Sequence, residues 1–93
     1  MNLQHEDDGK KGAFFIKDEA KRLAEMTYVW AGANKIIIDH TEVDDSLRGQ
    51  GAGKSLVMEA VNFARAEKIK ILPLCPYAKS VFDKTEEIRD VLS

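Results

Sequence analysis

The sequence is poor in the residues that tie small domains together covalently or through metal. Cys75 is its only cysteine, so no internal disulfide can form, and Cys75 with His5 and His40 offers too few ligands, at unconvincing spacing, for a structural zinc. No apolar run approaches the roughly 18–20 residues of a membrane span. The polar, acidic first residues carry no signal-peptide pattern, and the expected location is the cytoplasm, away from membranes. Excess charge is missing too. Lys+Arg 14 against Asp+Glu 16 leaves a formal net charge of -2, without the basic surplus of a general nucleic-acid binder. There is no repeat, linker or low-complexity stretch, so residues 1–93 are expected to form a single domain, its first twelve residues a loose arm or an edge strand. With 44% hydrophobic and 32% charged residues the composition is that of an ordinary small globular domain with a modest core, and it is compatible with a monomer.

What is present is a glycine-rich run, Arg48-Gly49-Gln50-Gly51-Ala52-Gly53-Lys54-Ser55, between a strand pattern and a helix pattern. Upstream, residues 35–43 (KIIIDHTEV) are rich in β-branched side chains; downstream, Leu56, Val57, Ala60, Val61 and Ala64 recur at helical spacing. A glycine turn that feeds a helix N-terminus suits an anion. The glycines permit positive φ and close approach, and the first helical N–H groups have no partner within the helix. The nucleotide P-loop requires a glycine where Arg48 stands, and the dinucleotide fingerprint requires one where Lys54 stands, so neither matches.

The remaining pattern predicts an α+β fold. Residues 13–17 (AFFIK), 21–30 and 35–43 read as an antiparallel meander, with Asp18-Glu19 and residues 32–34 as turns. On residues 21–30, Ala24, Met26, Tyr28 and Trp30 share a face; Tyr28 and Trp30 read as core or sheet-face aromatics. Residues 5–11 read as too polar to pack. The helix after the glycine run extends to about Glu67, and residues 69–74 form a further strand, which a helical crossover makes parallel to 35–43. Residues 77–84 and 86–92 close the chain as short helices.

The spacing Arg48-x-x-Gly51-x-Gly53 resembles the pyrophosphate loop of the GCN5-related N-acetyltransferases. His40-Thr41-Glu42-Val43 ahead of the loop and Leu74-Cys75-Pro76-Tyr77 after the next strand extend that likeness. Over residues 13–92 the chain is similar to the very small acetyltransferase-like proteins of the YjdJ type, which lack the superfamily's usual first helices. The resemblance implies a compact mixed sheet, with an antiparallel meander, a parallel crossover, one main helix and short C-terminal helices. It implies acetyl-CoA or coenzyme A as cofactor, with the pantetheine arm entering a gap between strands 35–43 and 69–74. Free backbone near Val43 would hold the pantetheine amides. The N–H groups of Gln50, Gly51, Ala52 and Gly53, in the loop from Gly49 to Ser55, would meet the pyrophosphate, with Arg48 and Lys54 adding charge. Arg48 reads equally as a solvated loop residue.

The catalytic groups are more open. The superfamily's Asn-x-x-Ala-x-x-x-Tyr pattern, laid over residues 75–82, finds Cys75 for the asparagine and Phe82 for the tyrosine, and phenylalanine donates no proton. Cys75, just ahead of a helix, is then a candidate proton donor or acetyl-accepting nucleophile; a buried structural thiol is the alternative. Tyr77 is a candidate at the thioester, or a rim aromatic. Alternation puts His40 and Glu42 on one strand face, Asp39 and Thr41 on the other. His40 and Glu42 are candidate bases toward an unidentified amine acceptor, or simply hydrogen-bonded and salt-bridged strand residues. The functional expectation is an N-acetyltransferase. The rivals are a non-catalytic acyl-CoA binding or sensing module, a nucleotide-phosphate site, and an interaction domain whose glycine loop is only a turn.

Overall fold

The computed structural model describes residues 2–93. Its centre is a five-stranded sheet in the order β1 (Leu3–Asp7), β2 (Lys11–Asp18), β3 (Lys21–Trp30), β4 (Lys35–Val43) and β5 (Lys70–Pro73). Neighbours are antiparallel except β4 and β5, which run parallel. Helix α1 (Ala52–Glu67) makes the crossover, α2 (Pro76–Lys84) follows β5, and 3-10 turns span Asp45–Leu47 and Glu86–Val91. The antiparallel meander, the parallel crossover and the main helix all stand as the sequence predicts. Among the described residues, no helix is long and apolar enough to cross a membrane.

One sheet face carries both helices. Leu56, Val57, Ala60, Val61 and Ala64 of α1 repeat every three or four residues and bury against Phe14, Ile16, Ala24, Met26, Tyr28, Ile36 and Ile38. Ala78, Val81 and Phe82 of α2, with Ile88 and Val91, complete the same core. The other face has no helix. There Phe15 is covered by the Arg22 guanidinium, 3.8 Å above its ring and held by Glu6 and Glu25. Phe15 is thereby buried on the helix-free face, and with Ala13 also buried, four consecutive residues of β2, Ala13 to Ile16, lack the exposure alternation of a one-sided strand.

The polar start of the chain forms the edge strand β1, one of the two expected outcomes, and although residues 4–7 stay exposed it is tied to the rest by side chains that were read as too polar to pack. His5 of β1 stacks on Phe14, ring centres 4.1 Å apart, and meets Phe63 of α1 edge-on at 4.6 Å. Tyr28 donates to Asp7 at 2.5 Å, so its oxygen accepts from His5 Nε2 at 2.6 Å; Trp30 Nε1 also donates to Asp7, at 2.8 Å. Tyr28 reaches β1 by lying across Gly12, where a Cβ would collide with its hydroxyl. Aromatic surface and a shared carboxylate together hold a strand whose composition alone predicts no packing.

β4 also departs from simple alternation. Tyr28 pairs with Ile38 but Thr27 with His40, so Asp39 is an extra residue, a β-bulge. After the bulge the core-facing side passes from even to odd residues. Thr41, opposite buried Met26, turns toward the helices, while Asp39 accepts a hydrogen bond from Thr27 on the other face at 2.6 Å. The expectation that Asp39 and Thr41 share a face is thereby corrected.

Candidate active site

β4 and β5 pair only from Lys35 with Lys70 to Ile38 with Pro73. The N–H groups of Leu74 and Cys75 then both donate to the Ile38 carbonyl, each at 3.0 Å, and the two segments part. Residues 39–43 keep β3 on one side and have no strand on the other. The direction of their free backbone follows from the ladder. Asp44 N–H points back to Leu23 of β3 at 2.7 Å, so by alternation the Val43 and Thr41 N–H groups point into the gap.

Cys75 faces this gap as the N-cap of α2, with Pro76 at the first helical position. It is 6% exposed, and its Sγ lies 3.3 Å from Thr41 Oγ1. Burial pushes the thiol up, but the Thr41 hydroxyl and the N–H groups of Ala78, Tyr77 and Thr41 outweigh it and leave the pKa below its ordinary value. Three large hydrophobic residues are exposed among the described residues, Val43 (36%), Leu74 (61%) and Tyr77 (41%), at the end of β4, just past β5 and in the first turn of α2. All three border the parting strands.

The glycine run forms the turn ahead of α1. Gly49 and Gly51 have φ of 82° and 71°, the left-handed region that favours glycine, and nothing lies within 4 Å of a Cβ at either. Gly51 caps α1 without a side-chain hydrogen bond, so the N–H groups of Ala52, Gly53 and Lys54 have no helical partner. Gln50 differs from expectation: its N–H donates within the turn to Leu47 O at 3.1 Å and its side chain to Ser46 O at 3.2 Å. Arg48 is exposed and paired with Asp45 at 2.8 Å. The loop with Lys54 and Ser55 borders an open depression of about 510 Å3 that reaches Met58 and Leu3.

The four candidate catalytic side chains separate into two pairs. Cys75 and Tyr77 belong to the helix-covered side. His40 and Glu42 lie on the other face, exposed and 3.6 Å from each other. Phe82, where a tyrosine was sought, is buried in the core. Thr41, to which the sequence assigned no role, meets Cys75 because of the bulge, and no glycine or proline in β4 signals that bulge. Among the described residues no group of three His, Cys, Asp or Glu side chains could hold a metal ion.

The GCN5-related N-acetyl-transferase family matches residues 13–91. A GCN5-like protein from Staphylococcus aureus, solved by NMR, is 41% identical and superposes with a TM-score of 0.76 over 99% of this chain and 89% of its own. Protein NATD1 of Gallus gallus is 32% identical over 76 residues, 81% of this chain and 69% of its own length. The Xenopus tropicalis NATD1 is 30% identical over 77 residues, 82% and 71% respectively. From β2 through the closing turn, sequence and fold agree, and the chain belongs to the GCN5-related N-acetyltransferase family.

Proposed function

We propose that the protein binds acetyl-CoA and transfers its acetyl group to an amine. The observation that carries this reading is the pairing of two backbone sites within one short stretch. Unpartnered N–H groups at the start of α1 suit a pyrophosphate, and the N–H group of Val43, on an unpaired strand edge, suits an extended amide chain. Open space where Cβ atoms would stand at Gly49 and Gly51 leaves room for a bulky anion. Lys54 at the head of α1 adds a positive charge, while Arg48 is engaged with Asp45 and contributes to the loop rather than as a free cation.

Bound acetyl-CoA would supply an acetyl group activated as a thioester. On this chain's side, the Val43 N–H is the donor for a developing oxyanion. Cys75, its thiol held below the ordinary range, is the group for the sulfur side, as proton donor or as transient acceptor of the acetyl group. His40 and Glu42, exposed on the helix-free face, are the bases for an ammonium arriving there. One observation favours the second reading, a binding or sensing module without turnover: the position of the usual phenolic acid holds Phe82, sealed in the core.

The test is an amide NMR titration with acetyl-CoA, coenzyme A and ATP, followed by mass spectrometry of the same sample. Saturable shifts at Val43, residues 49–55 and residues 74–78 with the CoA species alone support the site. An acetyl adduct on Cys75 supports covalent transfer, and turnover of an amine panel separates an enzyme from a sensor. Absence of shifts at millimolar acetyl-CoA refutes the proposal.

A further inference from the structure

Three glycines stand in the loop, but only two owe their identity to the backbone. Gly49 and Gly51 have positive φ; Gly53, in the first turn of α1, does not. Glycine is unfavourable within a helix, so position 53 needs another reason. The reason is Tyr77: a Cβ on Gly53 would lie 2.5 Å from the Tyr77 hydroxyl oxygen and 2.6 Å from Cζ. Resting on the acetyl-CoA reading above, we infer that Tyr77 is a pyrophosphate contact of the cofactor site, and not a group at the thioester.

The direction of the Cβ bond gives the geometry. In a helix that bond tilts toward the N-terminus, so the Tyr77 hydroxyl, 2.5 Å from the Cβ position of Gly53, lies against the first turn of α1, where the N–H groups of Ala52, Gly53 and Lys54 are free. It is thereby placed to add one donor to that set. It has no hydrogen-bond partner among the described residues, and the phenol, ordinarily protonated at neutral pH and with its pKa raised further by burial, is able to donate. Its backbone is fixed by Pro76 ahead of it and by Ser80 Oγ, which donates to the Tyr77 carbonyl at 2.7 Å. Cys75, by contrast, turns to Thr41 across the gap, so the two neighbours serve different ends of the ligand.

The experiment measures dissociation constants of acetyl-CoA, coenzyme A and S-acetylpantetheine, which lacks the pyrophosphate, for the wild type, Tyr77→Phe and Gly53→Ala. A hydrogen bond to a charged group predicts a loss of about tenfold in Tyr77→Phe for both acetyl-CoA and coenzyme A, and no change for S-acetylpantetheine. Gly53→Ala, which drives the ring off its seat, reproduces the loss, and amide spectra of both variants verify the fold. Unchanged affinity of Tyr77→Phe for coenzyme A, or an equal loss for S-acetylpantetheine, overturns the inference. Failure of the wild type to bind either CoA species instead removes the acetyl-CoA reading, and this one with it.

Discussion

Thr41 Oγ1 and Cys75 Sγ lie 3.3 Å apart across the gap that opens after the last ladder pair, Ile38 with Pro73, and this contact joins the β4 bulge to the start of α2. The hydroxyl favours the thiolate against the opposing effect of burial. Thr41→Val keeps the shape and removes the donor, so the Cys75 pKa rises. A pH titration of the Cys75 13Cβ resonance checks this; an unchanged midpoint would show that the backbone N–H groups suffice.

Gly12 exists to let Tyr28 cross β2 and reach Asp7. Gly12→Ala puts a methyl group into the phenol, and overpacking of this kind costs about 1–3 kcal/mol. The loss is read as a lower urea midpoint with an unchanged slope, together with shifted amide resonances in β1.

Acid weakens the attachment of β1 through two groups. Burial lowers the pKa of His5, against the opposing pull of Asp7, Glu59 and Glu6, so the unfolded chain takes up that proton first. Stability is then complete above the ordinary value of 6.5 and declines as pH falls from there to the lowered folded value. Asp7 follows at lower pH. Burial raises its pKa, but the hydrogen bonds from Tyr28, Gly9 and Trp30 prevail and lower it, so its contribution is present above the ordinary 3.8 and is lost as pH falls through the folded value. Urea midpoints of the wild type and His5→Gln between pH 7.5 and 5 test the first step; parallel curves would assign the slope elsewhere.

At Gly51 the backbone itself is the constraint. With φ of 71° and open space around the Cβ position, Gly51→Ala meets no neighbour yet pays for the left-handed conformation, about 1–2 kcal/mol. Thermal denaturation should show that loss. Under the proposed function, affinity for acetyl-CoA should fall as well, since the added methyl would fill open space assigned to the pyrophosphate.

Much of the architecture was legible because each element carried its own period: β-branched residues in 35–43, helical spacing from Leu56 to Ala64, glycines between. What escaped depended on partners distant in sequence. His5 is polar by composition, and only the rings of Phe14, Tyr28 and Phe63 give it a packed environment. The bulge at Asp39 has no residue signature in β4, so strict alternation misplaced Thr41 and hid its meeting with Cys75. In the loop, residue types identified a glycine turn ahead of a helix, but the donors each residue spends on the turn itself are a matter of geometry. Gln50 was therefore counted as a phosphate donor although its N–H is committed to Leu47.

The parting of β4 from β5 has one more consequence. The donors on that edge, the Thr41 N–H beside Cys75 and the Val43 N–H in the open gap, belong to the main chain, so their supply does not depend on which side chains these residues carry. Only proline would delete one, by replacing its hydrogen. The backbone donors along this edge are thus set by the path of the strand, while the Thr41 side chain serves Cys75 instead. A substitution that abolishes one of these two functions of β4 therefore need not touch the other.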